Sequence, residues 1–129
     1  MIKVYLTCIP SYYEGEDIEI RYVIYKDGEL TEKKSVFADY CKPVFCGLVS
    51  IEKILDILDN NINEEIVLVI NDGGLYELLN GVSMTNKRDV LRKADKIRDR
   101  LDKFSNIEIE NVSADHLEIE KWDEILTRD

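Results

Sequence analysis

Asp72 stands between a continuous apolar run, Ile66-Val67-Leu68-Val69-Ile70, and the pair Gly73-Gly74. The run reads as a strand buried on both faces. A carboxylate at its end has two uses. It can cap a following short helix by accepting a hydrogen bond from the first turn, or it can face a ligand, because open α/β sheets place their sites at the carboxyl ends of central strands. It does not suit a phosphate, which an aspartate repels, and the chain has no GxxxxGK motif. Cys8, Cys41, Cys46 and the single histidine, His116, have the donor chemistry of a zinc site. Their spacings match no zinc motif and no CxxC pair occurs, so the cysteines read better as reduced thiols, small core or surface residues of a cytosolic protein.

A third chemistry lies between Met84 and Phe104, where eight basic residues face four aspartates in a chain whose net charge is −10. Lys87, Arg88, Arg92 and Lys96 of this segment are candidates for contacting phosphates. The signs alternate closely, however, and pairs such as Asp89 with Lys93 and Asp99 with Lys103 would make the segment a solvated, salt-bridged helix face. Tyr12, Tyr13, Tyr22, Tyr25, Tyr40 and Trp122 offer rings for base stacking, although tyrosines on adjacent strands are usually packing residues.

The elements that would position these groups follow from periodicity. Ile2, Val4, Leu6 and Cys8 share one face of a period-two strand that stops at Pro10, and Ile18, Ile20, Tyr22 and Ile24 repeat the pattern. Lys26-Asp27-Gly28 supplies a tight hairpin into a third strand from about Leu30 to Ala38. Helical spacing then takes over: Ile51, Ile54, Leu55 and Leu58 recur every three to four residues, with Ser50 as an N-cap. After the buried strand at 66–70, a short helix runs over Leu75–Leu79. A longer one, capped by Thr85 or Asn86, carries the stripe Val90, Leu91, Ala94, Ile97, Leu101 and Phe104. A last strand alternates from Ile107 to Val112, and Leu117–Leu126 closes the chain as a helix. The predicted order is βββαβααβα.

The chain has 129 residues, 45% of them hydrophobic and 34% charged. That is material for one packed domain, 1–129, and too apolar for disorder. No run of about 20 apolar residues exists to span a membrane, and the amino terminus turns acidic too early for a signal peptide. An overall basic nucleic-acid coat is excluded by the net charge.

This order of elements resembles the ribonuclease H-like family over essentially the whole chain. Two local stretches carry the likeness: IVLVINDGGLYELLNG (residues 66–81), similar to the family's strand ending in an aspartate before a short helix, and IEKWDEIL (residues 119–126), similar to its closing helix with a carboxylate on the first turn. The resemblance implies an α/β fold with a five-stranded mixed sheet, its first three strands antiparallel, and helices on both faces. It also implies acidic residues from separate elements that hold two divalent ions for phosphodiester cleavage. Carried over, Asp72 and Asp123 would be metal ligands and Glu52 of the first helix a third, although Ser50 fits the apolar register of that helix better. His116, in the loop before the last helix, would be an accessory proton carrier. The family's first-strand aspartate is missing: the chain reads Leu6-Thr7-Cys8-Ile9-Pro10, and neither Thr7 nor Cys8 replaces a bridging carboxylate for magnesium.

The expectation is therefore a nucleic-acid-related protein of this fold with an incomplete carboxylate site, weakly active or inactive as a nuclease, that is, a pseudoenzyme. If active, it would be a hydrolase dependent on Mg2+ or Mn2+ acting on an RNA–DNA hybrid or another nucleic acid. The alternative is a non-catalytic interaction module whose acidic surface meets a basic protein.

Overall fold

A computed structural model describes residues 1–127. Strand β1 (Ile2–Ile9) pairs antiparallel with β2 (Ile18–Lys26), which pairs antiparallel with β3 (Glu29–Ala38). Between β2 and β3, Asp27 and Gly28 both adopt positive φ, 50° and 84°, the backbone a two-residue hairpin needs for its twist to match the strands. Helix α1 (Pro43–Ile57) then crosses to β4 (Glu65–Ile70), and α2 (Gly73–Leu79) and α3 (Arg88–Leu101) lead to β5 (Asn106–Asn111) and α4 (His116–Thr127). The order in space is β3-β2-β1-β4-β5, with β4 parallel to both β1 and β5. The carboxyl ends of β1, β4 and β5 thus lie along one edge of the molecule.

The two faces of the sheet bury different helices. Ile2, Val4 and Leu6 of β1 join Ile66, Leu68 and Ile70 of β4 under α1, α2 and α3 in the main core. The alternate set, Tyr5 of β1, Val23 of β2 and Val69 of β4, packs with Val112 under α4, against Ile119, Trp122 and Ile125. Period-two alternation is what assigns each side chain its helix. Ile51, Ile54 and Leu55 of α1 are fully buried, and truncating any of them to alanine would cost about 2–5 kcal/mol.

Every expected helix start shifts, that of α2 from Leu75 back to Gly73. Helix α1 begins not at Ser50 but at Pro43, with Lys42 extended before it (φ −58°, ψ 144°). The cause is local: proline is preorganised for the first helical position and forces its predecessor out of the α region. Ser50 is instead buried within the helix at 2% exposure, its hydroxyl donating to the Gly47 carbonyl at 2.6 Å. Helix α3 starts at Arg88, with no side-chain cap; the Thr85 hydroxyl accepts from the Lys87 amide and so orders the loop before it. Helix α4 starts at His116, because Asp115 caps it by accepting from the amides of Leu117 and Glu118 at 3.1 and 3.2 Å. His116 is therefore an exposed first-turn residue rather than a loop residue, and Asp123 lies in the second half of the helix rather than its first turn.

Candidate site at the carboxyl edge of the sheet

Beyond the carboxyl ends of β1 and β4 lies a cavity of about 240 Å³, lined in part by Thr7, Cys8, Cys46, Ser50, Asp72 and Trp122. Each element brings its residue there for a separate reason. Cys8 is the last member of the β1 face that packs on α1. Cys46 is the residue four before Ser50, one turn back along the α1 face that carries Ser50 and Ile54. Asp72 ends β4. Trp122 reaches the edge from the other side of the sheet, where its indole Nε1 donates to the Leu6 carbonyl.

Cys8 and Cys46 form a disulfide, with Cα atoms 5.9 Å apart, and among the described residues Cys41 is the free thiol. This corrects the expectation of three reduced thiols. Residues separated by 38 positions meet because β3 ends level with the end of β1 at the carboxyl edge, one strand away across β2, so that α1 starts beside Cys8. The register Ser50, Ile54, Leu58 extended back by one turn places Cys46 on the sheet-facing side of the helix, but it does not name its partner.

Asp72 is the N-cap of α2. Its Oδ1 accepts from the Leu75 amide at 3.0 Å, and its own amide donates to Asn111 Oδ1 on β5 at 3.2 Å. Its Oδ2 points toward the first half of α1: a Cβ placed on Gly47 would lie 3.5 Å from it and 3.0 Å from Leu75 Cδ2. The glycine is what lets α2 approach α1 so closely. Asp72 thus commits one oxygen to the cap of α2 and also lines the cavity.

The remaining expected ligands are elsewhere. Glu52 does not reach the cavity; both its oxygens accept from Lys93 Nζ of α3 at 3.2 Å. The register explains this, since Glu52 lies two residues past the sheet-facing Ser50. Asp123 is exposed beside Trp122, and it is the tryptophan that turns to the cavity. His116 is exposed at the start of α4. Among the described residues no group of three histidine, cysteine, aspartate or glutamate side chains is placed to hold a metal ion. The divalent ions that the resemblance implied do not fit these donors: Mg2+ and Mn2+ take carboxylate oxygens, and the cavity offers one, on Asp72, beside two sulfurs bonded to each other.

On α3, Lys93 and Arg100 bond outward to α1, to Glu52 and to Asp56 at 2.8 Å, and Arg98 pairs with Asp95. Within the helix the Asp95–Arg98 contact forms, whereas of the expected pairs Lys93 leaves Asp89 for Glu52. Lys87, Arg88, Arg92 and Lys96 are exposed, and no ion pair joins them to a described residue. Arg88, Arg92 and Lys96 are four apart and so lie on one helix face.

The sheet order, the mixed strand directions and the helices on both faces define an α/β protein of ribonuclease H-like fold. No family model matches the sequence, and no curated protein matches it. Solved structures do. Ribonuclease H1 from the halophilic archaeon Halobacterium salinarum superposes with a TM-score of 0.75 at 18% identity, over 88% of this chain and 86% of that one. LC11-RNase H1, isolated from compost by a metagenomic approach, gives 0.75 at 14% identity, over 97% and 91%. The same LC11 enzyme solved in complex with an RNA/DNA hybrid gives 0.67 at 15%, over 98% and 94%.

Proposed function

We propose that this chain is a nucleic-acid-binding protein of ribonuclease H-like fold that engages an RNA–DNA hybrid or a related duplex without cleaving it efficiently. The observation that carries the reading is the chemistry of the cavity. Where the resemblance calls for a carboxylate at the end of β1 there is Cys8, bonded to Cys46 of α1, Glu52 of α1 is turned away to Lys93, and the one carboxylate lining the cavity, Asp72 after β4, also caps α2. Lys87, Arg88, Arg92 and Lys96, which no ion pair joins to a described residue, can track phosphates, and a similar fold, that of LC11-RNase H1, has been captured with a hybrid.

The test is fluorescence anisotropy with a labelled hybrid across a salt series, alongside a cleavage assay in Mg2+ and in Mn2+. Binding that weakens as salt rises, falls in a variant with all four cations changed to alanine, and comes without cleavage is the expected result. Hybrid cleavage that disappears in Asp72→Asn would overturn the non-catalytic part and make Asp72, Asp123, Glu52 and His116 the residues to dissect next. The second reading, an interaction module for a basic protein, is favoured by the net charge of −10. It predicts no hybrid binding even at low salt.

A further inference from the structure

We propose that the reduced form of this chain holds one thiophilic divalent cation of the zinc or cadmium type, through Cys8, Cys46 and Asp72. The inference concerns the same cavity but is independent of nucleic-acid binding. In the oxidised chain the two sulfurs are bonded to each other and supply no ligands. Reduction changes the donor set. A dithiol opens the bond by thiolate attack on one sulfur, and the mixed disulfide resolves when the second thiol of the reductant closes its own ring. Two electrons and two protons pass to Cys8 and Cys46, and the reductant leaves as a cyclic disulfide.

The two new thiols stay side by side because their backbones are held by separate, well-packed elements. Cys8 lies on a strand flanked by β2 and β4, and Cys46 in the first turns of a helix whose inner face is buried. Their Cα atoms are 5.9 Å apart. Tetrahedral zinc, with Zn–S distances of about 2.3 Å, needs sulfurs roughly 3.8 Å apart, a spread that rotation about the Cα–Cβ bonds can supply.

The third donor lines the same cavity as Cys8 and Cys46. Asp72 is fixed by its Oδ1 bond to the Leu75 amide, and its Oδ2 faces the bare Gly47, the neighbour of Cys46. Two thiolates and one carboxylate are a soft, anionic set that suits zinc or cadmium and disfavours magnesium. The fourth tetrahedral position opens on the cavity, which has room for water. Ser50 is not a donor, because its hydroxyl is turned to the Gly47 carbonyl. Cys41 is not one either: it does not line the cavity, and burial pushes its thiol up from the ordinary value against a smaller opposing pull from Lys93.

The experiment is a Cd2+ titration of the full chain, reduced with a phosphine and followed by thiolate-to-cadmium charge-transfer absorption, with no nucleic acid present. One equivalent should bind to the reduced chain and none to the oxidised chain. Cys41→Ser should bind like the wild type, Cys8→Ser should lose the band, and Asp72→Asn should weaken binding by about tenfold or more. A thermal shift on adding Zn2+, seen only in the reduced chain, is the second readout and does not depend on any variant folding. No band and no shift in the reduced wild type, a signal that vanishes in Cys41→Ser, or unchanged affinity in Asp72→Asn would each overturn the proposal. None of these outcomes bears on whether a hybrid binds.

Discussion

The indole nitrogen of Trp122 donates to the carbonyl of Leu6 at 3.2 Å, tying α4 to β1 across 116 positions of sequence. That bond fixes how the closing helix meets the carboxyl edge of the sheet and turns the tryptophan, rather than the aspartate next to it, to the cavity. Replacing Trp122 with phenylalanine keeps most of the apolar contact with the core under α4 and removes the donor. The expected loss is about 1 kcal/mol, read from the midpoint of urea unfolding with the slope unchanged.

Cutting the covalent link between β1 and α1 should be the largest single change short of the core. The disulfide joins residues 38 apart, and the chain-entropy relation for a loop of that length gives about 4 kcal/mol. Unfolding followed with and without a phosphine reductant measures it. A Cys41→Ser chain should show the same difference between oxidised and reduced forms.

Asp72→Ala should cost about 1 kcal/mol through the lost cap of α2, while Asp72→Asn, whose amide oxygen can still accept from Leu75, should cost a few tenths. Equal losses in both variants would mean that the negative charge, not the hydrogen bond, is what the site uses. Thermal unfolding of the two variants side by side decides it.

Glu52→Gln should leave both stability and hybrid binding nearly unchanged. Its partner Lys93 and Glu52 itself are 29% and 41% exposed, and ion pairs so exposed contribute under about 1 kcal/mol. Fluorescence anisotropy and urea unfolding on the same preparation check the two halves of this expectation.

Glu19 should contribute to the acid limb of stability. Its carboxylate accepts from Arg21 and from the Ser35 hydroxyl, and these bonds, the arginine first, hold its pKa below the usual glutamate value. A depressed pKa in the folded state gives stabilisation that is complete above the unfolded value and is lost as pH falls through the folded one. Glu19→Gln should therefore be less stable than wild type at neutral pH, by under about 1 kcal/mol after solvent screening. The gap should close as pH falls through the folded pKa of Glu19. Urea midpoints across an acid pH series test the sign.

Much of the architecture was legible in the residues themselves. Alternation in Ile2, Val4, Leu6 and Cys8, the Asp27-Gly28 turn and the unbroken run Ile66–Ile70 each report a local backbone preference or a burial period, and such signals need no knowledge of the rest of the chain. The order of elements followed from them, and with it the likeness to the ribonuclease H-like fold. Asp72 was readable as a cap for the same reason, because the cap and the amide it serves lie three residues apart.

Tertiary structure alone decided the site. That Glu52 turns from the sheet followed from the register of α1, two residues past Ser50, but that it meets Lys93 depends on how α3 packs against α1. Whether Asp123 or Trp122 turns inward depends on the rotation of α4, which is set by its apolar stripe and by a carbonyl on β1 far away in sequence. The meeting of Cys8 with Cys46 depends on the path from β3 back to β1. Such pairings are governed by how elements pack, which no residue type or local spacing encodes, so the sequence named the cysteines and the aspartate while only the fold put them around one cavity.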